Sequence, residues 1–187
     1  AKAAMMCWQG RISLSATGFY ATPEIHWDPD KAKGVPFYYF AYGAAVTEVA
    51  VDRLTGENRL LRVDILHDVG RSINPALDRG QIEGGFIQGA GWLTTEELVY
   101  GKDGRLQTHA PATYKIPACS DRPAIMNITL FESGGNPADT IHKSKAVGEP
   151  PFMLATSVHS ALRHAIEGLI TEGMPNLDAP ATAEQLL

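Results

Sequence analysis

Hydrophobic and polar residues alternate in two neighbouring stretches in the first half of the chain. Phe37 to Asp52 is rich in aromatic and β-branched residues and alternates in its second half. Arg59 to His67 also alternates, with charged positions between the apolar residues Leu61, Val63 and Ile65. Thr55 to Asn58 between them has turn composition, so the pattern predicts an antiparallel hairpin. Ala124 to Phe131 is predicted as a further strand.

A helical period follows in the last third. From Phe152 to Ile170, apolar residues recur at steps of three and four: Phe152, Ala155, Val158, Leu162, Ala165, Ile166 and Leu169. Just before them, Gly148 allows unusual backbone angles, and Pro150 biases Glu149 away from helical angles. Pro150 and Pro151 have φ values suited to a helix start. The sequence therefore predicts a helix after Gly-Glu-Pro-Pro, whose positive end favours an ionised Glu149 unless burial opposes it. On spacing alone, Glu149 is an ordinary helix-start residue.

A second helix is predicted from Pro75 to Leu98, with Asn74 as N-cap and proline at the first helical position. It contains five glycines, which together cost about 4 to 5 kcal/mol relative to alanine: Gly80, Gly84, Gly85, Gly89 and Gly91. Tight helix packing offsets this cost in one interpretation. In the other, a backbone or rigid ligand approaches Gly80, Gly84 and Gly91.

The other segments predict less regular structure. Trp8 to Leu14 ends a helix or begins a strand, and the chain then runs as a loop to about Pro36. Asp103-Gly104 marks a hairpin turn, and the residues after Ile170 are expected to form a tail on the surface or on a partner. The fold class is therefore α+β: antiparallel strands and hairpins, a Gly-rich helix and a helix after Gly-Glu-Pro-Pro, in one unit.

Composition and charge narrow the classes of protein. The chain has 187 residues, 44% of them hydrophobic and 20% charged, which is typical of soluble folded domains. No apolar run approaches the ~18 to 20 residues of a membrane helix. The start has neither an initiating Met nor the features of a secretory signal, so we expect it to lie inside a longer polypeptide. A net charge of -5 without a basic block argues against nucleic acid as a partner.

Cysteine and histidine usage predicts no metal site. Cys7 and Cys119 are far apart, which suits a reducing cytoplasm, with a single disulfide as the alternative. His159 and His164 are five residues apart and do not stack as a zinc pair. The other four histidines are isolated and are interpreted as surface residues or as hydrogen-bonded structural ones: His26, His67, His109 and His142. No Gly-x-Ser-x-Gly elbow is present, and the Gly84 to Gly91 stretch does not fit the dinucleotide fingerprint.

Several motifs resemble one enzyme family. Ser144 to Pro151, with the Phe-Met-Leu-Ala-Thr-Ser that follows, resembles a segment in the molybdopterin-binding domain of xanthine dehydrogenases, in the xanthine oxidase family of molybdenum hydroxylases. Three further stretches resemble other segments of the same family: Gly80 to Gly89, Ser13 to Tyr20 and Thr113 to Ala118. Aldehyde oxidases have a similar Gly-Glu but generally lack the Pro-Pro, so the match favours the purine branch. The resemblance extends from about Ser13 to Ile170.

The resemblance implies a reaction and a site. Hypoxanthine or xanthine is hydroxylated to xanthine or urate with water as the oxygen source, as in purine catabolism. Glu149 corresponds to the general base, and Gln81 to the glutamine that contacts the molybdopterin cofactor. No protein metal ligand is expected, because the pterin sulfurs hold the molybdenum. Iron–sulfur clusters, FAD and NAD belong to partner domains or subunits, so a cytoplasmic hetero-oligomer without membrane contact is expected.

Two alternatives stay open. Residues 1–187 are expected to be the C-terminal fragment of the cofactor-binding domain, without its earlier half, and to be inactive alone. One alternative is an oxidoreductase of the same superfamily that acts on aldehydes or other N-heterocycles. The other is a non-catalytic fragment that only associates with its partners.

Overall fold

The computed structural model describes residues 1–132, 134–170, 173 and 175–187. The chain forms two compact units, Ala1–Tyr38 and Tyr39–Leu187. The expectation that residues 1–187 are one C-terminal fragment of a single cofactor-binding domain stays a prediction. No helix in the described ranges is long and apolar enough to cross a membrane.

The first unit contains one helix and one short hairpin. Helix α1 spans Lys2–Gly10, so a helix does end in the stretch where a helix end or a strand start was predicted. Strands β1 (His26–Asp28) and β2 (Lys33–Val35) pair antiparallel inside the region predicted as a loop, so that prediction is wrong there. The turn between them is local: the Asp28 carboxylate accepts hydrogen bonds from the next backbone amides, at residues 30 and 31.

A three-stranded sheet organises the second unit. Strands β3 (Gly43–Val51) and β4 (Asn58–His67) pair antiparallel, which confirms the predicted hairpin. Strand β5 (Ile125–Leu130) pairs parallel with β4, so the sheet is mixed rather than purely antiparallel. A parallel partner is possible because the chain between β4 and β5 is long enough for a crossover. The α+β class is confirmed.

The register of β3 on β4 corrects two details of the prediction. Strand β3 begins at Gly43 and not at Phe37: residues 37–42 lie in no strand, and the Phe40 carbonyl accepts a hydrogen bond from the Lys145 side chain. The pairing also shifts between Glu48 and Val49, so that Leu61 is an extra residue on β4. Leu60 therefore packs on the core, and Leu61, predicted on the apolar side, is exposed.

Two long helices follow the predicted periods. Helix α2 spans Pro75–Thr94, shorter at its end than predicted, and the Asn74 side chain accepts from the amides of Ala76 (3.2 Å) and Leu77 (3.3 Å). The helix after Glu149 begins as a 3-10 helix, Pro150–Ala155, and continues as α3, Thr156–Glu167. Its buried stripe is narrower than predicted, because the later positions Ala165 and Leu169 are exposed.

The core lies between the sheet and helices α2 and α3. Buried residues from all three elements contribute to it: Val63 and Ile65 on β4, Ile82 and Phe86 on α2, and Val158 and Leu162 on α3. The last segment adds to it, since Leu177, Ala181 and Leu186, the last in the short helix α4 (Ala183–Leu186), are buried. The tail predicted to lie on the surface or on a partner is therefore partly buried against the core of this chain, and the prediction is wrong for those residues; residues 171, 172 and 174 lie outside the described residues.

The glycines of α2 divide into two groups. A methyl group added at Gly89 would lie 2.5 Å from the Phe152 carbonyl oxygen, and one at Gly85 would lie 3.0 Å from the Pro151 side chain. Gly91 is closely approached by Pro117. Added methyl groups at Gly80 and Gly84 would meet nothing within 4 Å. Tight packing thus explains the buried glycines, and the exposed pair leaves open space on the helix.

Exchanging one glycine of each group for alanine is expected to have opposite effects. Gly89→Ala should destabilise the protein by about 1–3 kcal/mol, because its new methyl group collides with backbone. Gly84→Ala should stabilise it by about 0.5–1 kcal/mol, because the site is open and helical. Thermal melts of the two variants beside wild type measure both effects. Equal shifts for the two variants would contradict the packing account.

Candidate functional site

Glu149 presents a free carboxylate at the start of the 3-10 helix. It is exposed, and its side chain makes no capping hydrogen bond. Its backbone is helical (φ -89°, ψ -31°), contrary to the expected influence of Pro150, because its carbonyl accepts from the Phe152 amide at 3.0 Å and closes the first turn. The carboxylate is therefore not needed to begin the helix and is available for chemistry.

Gly148 differs from its predicted role. Its φ does not lie in the left-handed region, so this position does not need glycine for its backbone angles. A methyl group added at Gly148 would have no atom of the described residues outside its immediate neighbours within 4 Å. The missing side chain instead leaves open space directly beside Glu149.

The segment before Glu149 is fixed by backbone hydrogen bonds. We call residues Ser144 to Gly148 the strap. Within it, Ser144 forms an antiparallel bridge with Gly70, and the Lys145 amide donates to the Val69 carbonyl at 2.8 Å. The Ala146 amide donates to the hydroxyl oxygen of Tyr39 at 2.8 Å. The strap therefore lies on the residues that follow β4.

A buried ion pair anchors the strap. Lys145 Nζ lies 2.6 Å from Asp68 Oδ2, with only 3% and 6% of the two side chains exposed. The ammonium also donates to the Phe40 carbonyl at 2.8 Å and lies 5.2 Å from the centre of the Tyr42 ring. The other Asp68 oxygen accepts from the Gly70 amide at 2.8 Å. Both charges thus have the partners that burial requires.

The other side of Glu149 packs against α2. Pro151 and the Gly148 carbonyl approach Gly85 so closely that a methyl group there would lie 3.0 and 3.2 Å from them. Gln81 lies one helical turn before Gly85, on the same face of α2. Its side chain is exposed, and we see no hydrogen-bond partner for it in the described ranges. The fold therefore packs the middle of α2, at Gly85, against the segment that carries Glu149, and Gln81 lies one turn away along the helix.

Next to the ion pair, His67 is buried without hydrogen bonds. Only 1% of it is exposed, and neither ring nitrogen has a partner within the described part of the chain. Burial lowers the pKa of His67. The positive charge of Lys145 lowers it further, and the negative charge of Asp68 opposes the shift. His67 is thus a structural residue of the core, but the prediction of a surface or hydrogen-bonded histidine is wrong at this position.

Stability is expected to fall in acid because of His67. In the unfolded chain the imidazole gains a proton below about pH 6.5, whereas the folded state resists it because the folded pKa is lower. The unfolded state then binds more protons, so stability is unaffected above about pH 7 and declines as the pH falls through about 6. Melting temperatures measured across this range should show the decline.

A matched pair of variants isolates the contribution of His67. His67→Leu should flatten the dependence between about pH 7 and about pH 5, because Leu has no proton to bind. His164→Leu, at an exposed site on α3, should leave it unchanged. The same slope in wild type and His67→Leu would assign the acid sensitivity to other groups.

The Thr113 to Ala118 motif has a structural place near the end of α2. Glu96 is buried, and its hydrogen bond with the Tyr114 hydroxyl raises the pKa of Tyr114. Pro117 packs on Gly91. Beside them lies a mostly apolar pocket of about 360 Å³, lined by Leu98, Thr108, His109, Ala110, Pro111, Tyr114 and Ile116. Nothing in this arrangement adds a reactive group to the Glu149 site.

Sequence reasoning did not identify the ion pair. Lys145 lies within the motif that contains Glu149, but Asp68 is 77 residues earlier in the chain. No period or spacing connects the two residues, and the only signal was the presence of Lys145 in a motif. Cys7 and Cys119 are both free.

The first part of the chain matches a known family. Residues 1–123 match the family model described as the molybdopterin cofactor-binding domain. The chain therefore belongs to the molybdopterin cofactor-binding domain family. Gln81 lies inside the matched range, and Glu149 lies after it.

Relatives and solved structures agree with this membership. The chain is 48% identical to a xanthine dehydrogenase of Oryza sativa subsp. japonica, in an alignment that covers 100% of this chain and 14% of that protein. It resembles quinoline 2-oxidoreductase from Pseudomonas putida 86 (30% identity, 74% of this chain and 17% of that one, TM-score 0.65). Aldehyde oxidoreductase from Desulfovibrio gigas is also similar (27%, 86% and 16%, TM-score 0.67). The resemblance found in the motifs is confirmed.

Proposed function

We propose that this chain is part of a molybdenum hydroxylase that oxidises hypoxanthine to xanthine and xanthine to urate, with water as the oxygen source. The observation that carries the proposal is the exposed, uncapped carboxylate of Glu149, whose backbone is held on both sides, in a chain of the molybdopterin-binding family. The 48% identity to a xanthine dehydrogenase favours a purine substrate.

Glu149 is the general base in this proposal. Its carboxylate takes the proton from the water-derived nucleophile as that nucleophile attacks an electron-poor ring carbon. The hydrogen-bonded strap holds the backbone on one side of Glu149, and the packing of Pro151 on Gly85 holds it on the other. Together they limit where the carboxylate can lie. Such preorganisation removes part of the entropic cost of bringing the base to the proton.

The residues around Glu149 fit a molybdenum cofactor. Gln81 offers an exposed amide with no partner in the described ranges, and the open positions Gly80, Gly84 and Gly148 leave room for a large rigid group. Gln81 would therefore hold the pterin by hydrogen bonds. The bound cofactor supplies the two-electron oxidation, and this chain supplies the base, the orientation and the shape of the site.

Other parts of the enzyme complete the reaction. The chain spans about 14% of the length of the rice relative. We assign the earlier half of the cofactor-binding domain and the iron–sulfur, FAD and NAD sites to partner domains or subunits of a hetero-oligomer. Two free cysteines agree with a reducing compartment, and we propose the cytoplasm.

Replacing Gln81 with alanine is expected to weaken cofactor binding. The variant enzyme should contain less molybdopterin or turn over more slowly, because an amide contact is lost. Gln88→Ala, which removes an exposed amide two turns further along α2, is the matched control and should behave as wild type. Molybdenum analysis and steady-state rates measure the effect. Wild-type metal content together with wild-type turnover in Gln81→Ala would remove Gln81 from the site.

Two measurements on the assembled enzyme test the function itself. Molybdenum analysis separates a catalytic enzyme from the alternative of a non-catalytic association fragment, which would contain no metal. Steady-state rates with hypoxanthine and with an aromatic aldehyde separate a purine hydroxylase from an aldehyde or heterocycle oxidoreductase of the same superfamily. A much higher kcat/KM for the aldehyde would overturn the purine assignment.

A further inference from the structure

We propose that the Lys145–Asp68 ion pair and the Tyr39 hydroxyl are a positioning device that sets the location of the Glu149 carboxylate. These groups lie within or against the strap that leads to Glu149, and each holds a different part of it. The proposal rests on the proposed function, because it assumes that the Glu149 carboxylate acts as the base. None of the three residues is assigned a contact with substrate or cofactor.

The first step of the argument is the spacing of the anchors. Lys145 and Ala146 are four and three residues before Glu149, and the side chain of the first and the amide of the second are fixed. Val147 is then buried. Only Gly148 separates this fixed stretch from Glu149. A displacement of the strap should therefore also displace the Glu149 carboxylate, because one residue between them can compensate for little of the movement.

The second step concerns the chemistry of the anchor. A buried ion pair gives little net stability over well-packed apolar residues, so stability alone does not account for it. What it gives here is a defined position. The ammonium of Lys145 is held from three directions, by Asp68, by the Phe40 carbonyl and by the face of Tyr42. Sliding the strap by one residue would separate Lys145 from all three partners.

The third step is the support on the far side of Glu149. Pro151 packs on the bare backbone of Gly85, which fixes where the 3-10 helix begins. The Glu149 backbone is thus held on both sides, and its carboxylate is located to the extent that both supports are intact. A misplacement of about 1 Å in a catalytic group can slow a reaction about a hundredfold.

The mildest test removes one anchor without burying a charge. In the holoenzyme, Tyr39→Phe deletes the oxygen that accepts from the Ala146 amide. We expect kcat, and with it the rate constant of the reductive half-reaction, to fall about ten- to a hundredfold. KM, molybdenum content and melting temperature should stay close to wild type. Hydrogen–deuterium exchange should quicken in the peptide that covers the strap. This readout does not depend on activity.

A second variant removes the ion pair and leaves no unpaired charge. Lys145→Met combined with Asp68→Asn keeps an acceptor for the Gly70 amide and removes both charges. It should show the same loss of kcat and the same faster exchange. The matched control is Lys143→Met, which breaks an exposed ion pair with Asp139 just before the strap and should leave both readouts unchanged.

The decisive comparison repeats these variants in the Glu149→Gln background. A positioning device acts through Glu149, so Tyr39→Phe should cause no further loss of the residual rate there. The same fold-loss in both backgrounds would overturn the proposal, as would wild-type kcat and exchange in Tyr39→Phe and the double variant. If Glu149→Gln itself turns over at the wild-type rate, the proposed function fails and the positioning role fails with it. A slow Glu149→Gln beside a fast Tyr39→Phe rejects the positioning role alone.

Discussion

Replacing Glu149 with glutamine is expected to slow purine oxidation by at least ~10³-fold without loosening the fold. Glutamine keeps the volume of the side chain and removes its basicity. Because the Glu149 carboxylate is exposed and caps no backbone amide, the fold does not depend on its charge. Melting temperature, molybdenum content and substrate binding should therefore stay at wild-type values, while the reductive half-reaction measured by stopped flow becomes slow.

Two further variants sharpen this prediction. Glu149→Asp should recover little activity, because one fewer methylene withdraws the carboxylate by roughly an ångström. Glu97→Gln makes the same carboxylate-to-amide change at another exposed site and should be fully active. A fast Glu149→Gln would reduce Glu149 to a helix-start residue. A variant that loses both metal and melting temperature would assign it a structural role.

Replacing Lys145 alone with methionine is expected to have the largest effect on stability. The change leaves Asp68 buried, with 6% of its side chain exposed and no counter-charge. Breaking one partner of a buried ion pair typically costs about 3–5 kcal/mol. For a unit of this size that corresponds to a fall in melting temperature of roughly 6 to 20 °C, which thermal unfolding followed by circular dichroism can measure.

The companion changes identify the cause of that loss. Adding Asp68→Asn to Lys145→Met removes the buried charge that has lost its counter-charge, and should restore much of the stability. Lys143→Met should cost less than about 1 kcal/mol, because its ion pair with Asp139 is exposed. A single Lys145→Met variant that melts like wild type would show that Asp68 is hydrated or protonated at little cost.

The glycines of α2 show how one sequence pattern can have two physical causes. From the residues alone, tight packing was the favoured explanation, and the family resemblance pointed instead to contact with a ligand. The backbone of Phe152 against Gly89 shows packing at one end of the helix, and the open surface at Gly80 leaves the other end available to a ligand or a neighbouring chain. Packing therefore accounts for Gly85, Gly89 and Gly91, and the approach of a ligand stays a prediction for Gly80 and Gly84.

The sequence by itself determined what depends on neighbours in the chain. The Asn74 cap is set by residues within one turn, and so is the 3-10 start at Pro150. The hairpin of β3 and β4 is set by its alternation and its turn. The motifs around Gln81 and Glu149 selected the family and the candidate site residues, because they are contiguous and can be recognised without the fold.

Only the tertiary structure decided what depends on distant residues. The exposure of Leu61 follows from a bulge that is visible only in the pairing of two strands, and the parallel direction of β5 is likewise visible only in its pairing with β4. The ion pair of Lys145 with Asp68 joins positions 77 residues apart. Such contacts form when separate elements exclude water between them, and no local pattern encodes which partners then meet. The sequence could therefore name Glu149, but only the fold shows what holds it in place.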